Sequence, residues 1–111
     1  MKNNAKNNSI LNLVLTYHWF DEILSGRKKE EYRQPSEYNL RLMCDFKNGL
    51  PVDFKPFERV RFRKGYTSIY ADFEIKGMFL DLFKNEIPEG FKNGDEVITI
   101  ELGNMIESNV N

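Results

Sequence analysis

Two stretches of alternation, at 58–64 and 68–78, restrict what this chain can fold into more than any other feature. In the first, Val60 and Phe62 fall on one side and Arg59, Arg61 and Arg63 on the other. In the second, Ile69, Ala71, Phe73 and Ile75 alternate with Tyr70, Asp72, Glu74 and Lys76. Only an extended backbone sends every second side chain to the same face. Both stretches therefore read as strands packed on one face and wet on the other. Lys64-Gly65 between them is a turn signal, so the pair predicts a hairpin. In that hairpin Asp72 and Glu74 lie within reach of the arginines, and each such cross-strand pair contributes about 0.2–1 kcal/mol.

The remaining elements fit around this hairpin. Ile10–Leu15 is apolar and reads as a buried strand. Thr16 is placed to cap a short helix over 17–25, with Trp19, Phe20, Ile23 and Leu24 on its packed face. His18, the only histidine, falls at the exposed start of that helix. Gly26 stops it, because glycine enters the left-handed conformation without steric cost. Residues 28–33 form a second strand, ended by Gln34-Pro35. Ser36 caps a second helix, with Tyr38 and Leu42 one turn apart and Phe46 a turn beyond. Residues 47–56, with Asn48-Gly49, Pro51 and Pro56, read as an irregular connection. Gly77 is placed to bend the long strand, and Met78–Phe83 to continue it or start a new element. Ile87–Phe91 reads as loop and 92–95 as a turn. Glu96–Leu102 is the closing strand, with Met105 and Ile106 capping the barrel bottom. The chain of 111 residues is long enough for one modest core. The expected organisation is a polar leader over 1–9, one domain over 10–106 and a tail over 107–111.

Charge is unevenly spread. The whole chain carries −1, but residues 27–33 carry +2 and residues 59–64 carry +4. If the two segments meet, they form a basic patch that suits an anionic partner; otherwise they are two solvated strand faces. Cys44 is the only cysteine, which excludes an internal disulfide and a cysteine-rich zinc site. A free thiol, no apolar run of about 18 residues and no signal core point to a cytoplasmic protein without a membrane span. One histidine and one cysteine supply no metal constellation, and there is no phosphate-cradling glycine loop. No metal and no cofactor is expected.

The densest cluster of charge follows Gly26: Arg27-Lys28-Lys29-Glu30-Glu31-Tyr32-Arg33. On a strand, Lys29, Glu31 and Arg33 share one face, and Lys28, Glu30 and Tyr32 the other; Lys28 lies near enough to the turn for its stem to reach around. Arg33 can hold Glu31 in bidentate geometry, leaving Lys28 and the spare guanidinium edges as donors to a ligand. The plainer reading is a strand salt bridge. Tyr17, Tyr66 and Tyr70 are candidates to stack on a base, Tyr66 being the most exposed at its hairpin tip.

Gly26-x-Lys28-x-x-Glu31-x-Arg33 resembles the G-x-K-x-x-E-x-R signature of the ASCH family, a branch of the PUA-like β-barrels. The run Leu15, Tyr17, Trp19, Phe20, Ile23, Leu24 and the later Gly94-Asp95-x-Val97 also fit that family, and the likeness covers residues 9–106. The resemblance implies a mainly β protein with two helices: a small PUA-like barrel with a helix after the first strand and a cleft between them. It implies a binding module for RNA or a modified nucleoside, its ligand held by Lys28, Glu31, Arg33, Tyr17, Arg61, Arg63 and Tyr66. A second expectation is a hydrolase of RNA or of N-acylated cytidine, as in one branch of the family, using Lys28, Glu31 and a second acid for which Glu74 is the candidate. That branch carries a threonine nucleophile where this chain has Glu31. A third is an interaction protein with no nucleic-acid partner. The oligomeric state is left open.

Overall fold

A computed structural model describes residues 9–82, 90–92 and 94–110. Residues 1–8 of the leader expected at 1–9 and most of the loop expected at 87–91 lie outside the described residues. Seven strands and two helices follow in the order β1 (Ile10–Leu15), α1 (Tyr17–Leu24), β2 (Glu30–Arg33), α2 (Glu37–Met43), β3 (Cys44–Lys47), β4 (Leu50–Phe54), β5 (Arg59–Lys64), β6 (Tyr70–Leu82) and β7 (Glu96–Ser108). The protein is mainly β with two helices, as the sequence predicts, and its main sheet curls into a half-barrel.

That sheet has the order β1-β5-β6-β7-β2. β1 runs parallel to β5, and every other pairing is antiparallel. The hairpin of alternating strands is present as β5 and β6, with Arg61 opposite Asp72 and Phe62 opposite Ala71. Its apolar face, with Leu11, Leu13 and Leu15 of β1, forms the core around Val60, Phe62, Phe73, Ile98 and Ile100. α1 closes one side through Phe20 and Ile23, both almost fully buried. Trp19, expected on that packed face, is instead 37% exposed. Eight residues make barely two turns, so the buried stripe holds only two large side chains.

Five expectations are corrected. Residues 47–56 are not irregular throughout: β3 and β4 pair as a two-stranded ladder joined at Asn48-Gly49, both with positive φ. Pro51 sits in that ladder because a two-stranded sheet consists only of edges, where a missing N–H is tolerated. Phe46 therefore lies in β3 and not on the helix. β2 begins at Glu30, so Lys28 and Lys29 precede the strand. β7 runs on to Ser108, past its expected end at Leu102 and the expected domain end at 106, because β6 is long enough to pair with it as far as Ala71–Ser108. Asn109 continues the attachment through hydrogen bonds with Tyr70 and Ser68. Met105 and Ile106 are accordingly half-exposed strand residues and cap nothing.

The Thr16 side chain, expected to cap α1, makes no capping hydrogen bond, whereas the readings at Ser36 and Gly77 hold. The Ser36 side chain accepts the Asn39 amide at 3.1 Å and caps α2. Ser36→Ala is expected to lower unfolding free energy by about 1 kcal/mol, read from urea melts; an unchanged midpoint would remove the cap from the account. Gly77 lies where the β6–β7 register shifts, with the Phe79 ring 2.7 Å from where a Cβ would stand.

The edges of the sheet are β1 and β2, and no backbone ladder joins them. β2 has only four residues between the Gly26 turn and Pro35, too few to extend the sheet around. A side chain spans the gap: Arg33 Nη2 donates to the Val14 carbonyl at 2.9 Å. The barrel seam is closed by a guanidinium.

Candidate ligand hollow at the barrel seam

The seam depends on Glu31. Opposite Ile100 in the β2–β7 pairing, it points inward and is only 6% exposed. A buried carboxylate needs compensating charge. It has two cations: Lys28 Nζ at 3.1 Å on one oxygen and Arg33 Nε at 2.8 Å on the other. Glu31 and Arg33 meet because alternate strand residues share a face. Lys28 arrives from the loop, held by its amide to the Glu22 carbonyl and by its ammonium to the Glu30 carbonyl.

The predicted trio is thus assembled, but not around one opening. Lys28 and Glu31 line a hollow of about 450 Å³ between α1 and β2. Arg33 lies on the far side of Glu31 and lines a separate groove beside β1. Three aromatic residues also line the hollow: Trp19, Tyr32 and Phe91. The Lys28 ammonium is 5.5 Å from the Trp19 ring centre and 4.8 Å from that of Tyr32, within cation–π range. Glu22, Arg27 and Glu30 complete the wall. Arg27 donates twice to Glu22, and Tyr32 donates to Glu30 at 2.6 Å. The hydrogen bond from Arg27 holds the Glu22 carboxyl below its ordinary value.

These aromatics were not among the stacking candidates. The signal for Tyr32 was its place next to Glu31, on the outward face of the same strand. Trp19 carried none, because its helical spacing fits the core equally well. The tyrosines that were singled out lie elsewhere. Tyr17 packs over Gly65 under the Lys64 ammonium, 5.3 Å from the ring centre. Gly65 has φ +57°, and a Cβ there would stand 2.7 Å from the Tyr17 ring. Tyr66 is 98% exposed and lines the groove with Arg33. Tyr70 donates to Glu107 and lies 4.1 Å from the Arg61 guanidinium.

The basic strand is largely neutralised in place. Asp72, 0% exposed, accepts both Nε and Nη2 of Arg61, at 2.8 and 2.9 Å, and Arg59 at 3.2 Å. Burial pushes the Asp72 carboxyl up, and the hydrogen bonds from Arg61 and Arg59 reverse this, leaving it below its ordinary value. Arg59 also meets Glu107 and Glu58. Arg61 and Arg63 do not line the hollow. Glu74, expected to pair with an arginine or to serve as a second acid, accepts the Asn104 amide at 2.9 Å where β7 departs from regular pairing. Together with Lys28 it lines a second hollow, of about 660 Å³, behind the end of α1.

Among the described residues no group of three or more histidine, cysteine or acidic side chains is placed to hold a metal. Cys44 is a buried free thiol whose ionisation burial pushes up, so it is not a poised nucleophile. No helix among the described residues is long and apolar enough to cross a membrane. Set against models of known families, characterised proteins and solved structures, the chain matches none.

Proposed function

We propose that the chain is an ASCH-like module that binds RNA or a modified nucleoside, with the base in the hollow between α1 and β2. One observation carries this reading: a lysine ammonium, a buried carboxylate and three aromatic residues line one open hollow of about 450 Å³. That volume lies within the range of small-molecule sites. A flat heterocycle fits such a wall, because its faces meet rings while its edge meets Lys28 and Glu31. The charges favour the base over the phosphate backbone as the group held there. Arg27 and Lys28 face Glu22, Glu30 and Glu31, and both cations are already paired. A polyanion would have to break those pairs; a neutral base need not.

Trp19 is the only tryptophan, so its fluorescence reports on the hollow directly. Titration with cytidine and N4-acetylcytidine is expected to quench it, with little dependence on salt. Trp19→Ala is expected to weaken binding by tenfold or more in calorimetry, the loss of one base–aromatic stack being about 1–3 kcal/mol. Saturable quenching absent up to millimolar nucleoside, with the protein folded, would end this reading.

The hydrolase is the second reading, favoured by Lys28 and Glu74 lining the same second hollow. The carboxylate at position 31 is engaged by two cations and has no hydroxyl to offer as a nucleophile. Release of acetate from N4-acetylcytidine by the wild-type chain, lost in Lys28→Ala, would select this reading over binding alone.

A further inference from the structure

The groove on the other side of Glu31 offers the opposite chemistry to the hollow. It has a volume of about 450 Å³ and lies between the open edge of β1, α2 and the β5–β6 turn. Its polar lining is Asn12, Thr16, Arg33, Tyr38, Asn39 and Tyr66, over a floor of Leu13 and Leu42. Arg33 is the one cation in this lining, and among the described residues the lining contains no carboxylate. Its guanidinium is fixed at two points, to Glu31 through Nε and to Val14 through Nη2, which leaves the Nη1 edge and a second Nη2 hydrogen. Tyr66 is 98% exposed and Tyr38 75% exposed, so both rings are open to a ligand in the groove.

We propose that this groove is a second nucleic-acid subsite, taking a flanking nucleotide of a single strand whose base enters the first hollow. The phosphate would sit on the free edge of Arg33 and the flanking base against Tyr66 or Tyr38. Glu31 and Val14 hold the Nε and Nη2 atoms of Arg33, and, with no carboxylate among the described residues of the groove lining, its Nη1 edge suits a phosphate without breaking the Glu31 pair. Exposed rings beside it suit an unstacked base of any sequence. The two openings meet at Glu31, which accepts Lys28 on the hollow side and Arg33 on the groove side. The nucleic-acid identity of the occupant rests on the function proposed above; the anion-accepting character of the groove does not.

The test is an amide NMR titration of the full chain with two probes, cytidine and single-stranded hexauridylate. Cytidine is expected to move amides around Lys28–Tyr32 and to leave Asn39, Gly65 and Tyr66 in place. Hexauridylate is expected to move both sets. Its affinity should fall with salt with a log–log slope of about −0.7 for each phosphate engaged. Tyr66→Ala is expected to weaken hexauridylate about tenfold, the loss of one stack, with cytidine unaffected. Tyr38→Ala is the companion variant, and the exposure of both rings keeps the fold out of question. Two results would overturn the subsite: groove amides unmoved by hexauridylate at millimolar concentration, or the double variant binding it as tightly as wild type. A hexaglutamate peptide moving the same amides as strongly would reassign the groove to acidic peptides. Groove amides that respond while cytidine leaves the hollow unmoved would refute the function proposed for the hollow and keep the groove.

Discussion

Asp72→Ala is expected to lower the unfolding free energy by about 3 kcal/mol, a large share of the 5–15 kcal/mol typical of a domain. Asp72 is fully buried and takes three hydrogen bonds from two arginines whose side chains are 21% and 22% exposed. Removing it leaves two guanidinium groups side by side on one face of β5, with Glu58 and Glu107 still beside Arg59 but no carboxylate shared with Arg61. Their partial exposure lets water compensate some of that loss, so the estimate sits at the low end of the range for broken buried pairs. The pH dependence has a definite sign. The folded carboxyl titrates below its ordinary value, so its stabilising contribution is complete above the unfolded pKa of about 3.9 and disappears as pH falls through the folded value. Urea melts of wild type and Asp72→Asn should therefore differ most at neutral pH, and the gap should narrow as pH falls below the ordinary carboxyl range. An equal gap at pH 7 and pH 2.5 would show that the amide disrupts packing rather than charge. Replacing the cluster together, Arg59→Met, Arg61→Met and Asp72→Leu, should cost far less than Asp72→Ala alone, because no buried charge is then left unpaired; Glu58 and Glu107, which lose Arg59, are half exposed.

The arginines on β5 also show where sequence reading succeeds and where it stops. Alternation placed Arg59, Arg61 and Arg63 on one face and Asp72 on the facing strand, and the register brings Arg61 opposite Asp72. Period-2 pattern is a local property, so it survives folding. The same holds for the Gly26 stop, the Ser36 cap and the pairing of Glu31 with Arg33, which are fixed within a few residues. What the sequence did not disclose depends on lateral neighbours. That Arg33 spans the seam to Val14 requires knowing that β1 and β2 are the two sheet edges. That Trp19 faces a hollow requires knowing how far α1 rotates when only Phe20 and Ile23 are buried. The β3–β4 ladder was hidden because Pro51 and Asn48-Gly49 read as loop punctuation, and in a two-residue turn joining two edges they are compatible with strands.

Glu31→Ala carries the other large expected effect, because one carboxylate serves both the fold and the hollow. It holds Lys28 at 3.1 Å and Arg33 at 2.8 Å from a position 6% exposed. Without it Arg33 loses the contact that aims its guanidinium at Val14, and two cations stand beside an apolar core. A loss of about 3 kcal/mol is expected in urea melts. The loss should be local in character: amides of β1 and β2, the two sheet edges bridged by Arg33, should lose hydrogen-exchange protection before those of β5 and β6. Arg33→Met separates the two roles. It removes the seam bond and leaves the Lys28–Glu31 pair intact, so it should reproduce the loss of edge protection with cytidine binding retained. Glu31→Gln separates them the other way. The amide oxygen can still accept from one cation, so the cost to stability should fall to about 1–2 kcal/mol. Lys28 then loses its charged anchor, and the Trp19 response to cytidine should weaken at least tenfold. Edge amides that remain as protected in Glu31→Ala as in wild type would mean that the half-barrel is held without its guanidinium clasp. The hollow and the groove would then be two unrelated depressions rather than the two faces of one buried carboxylate.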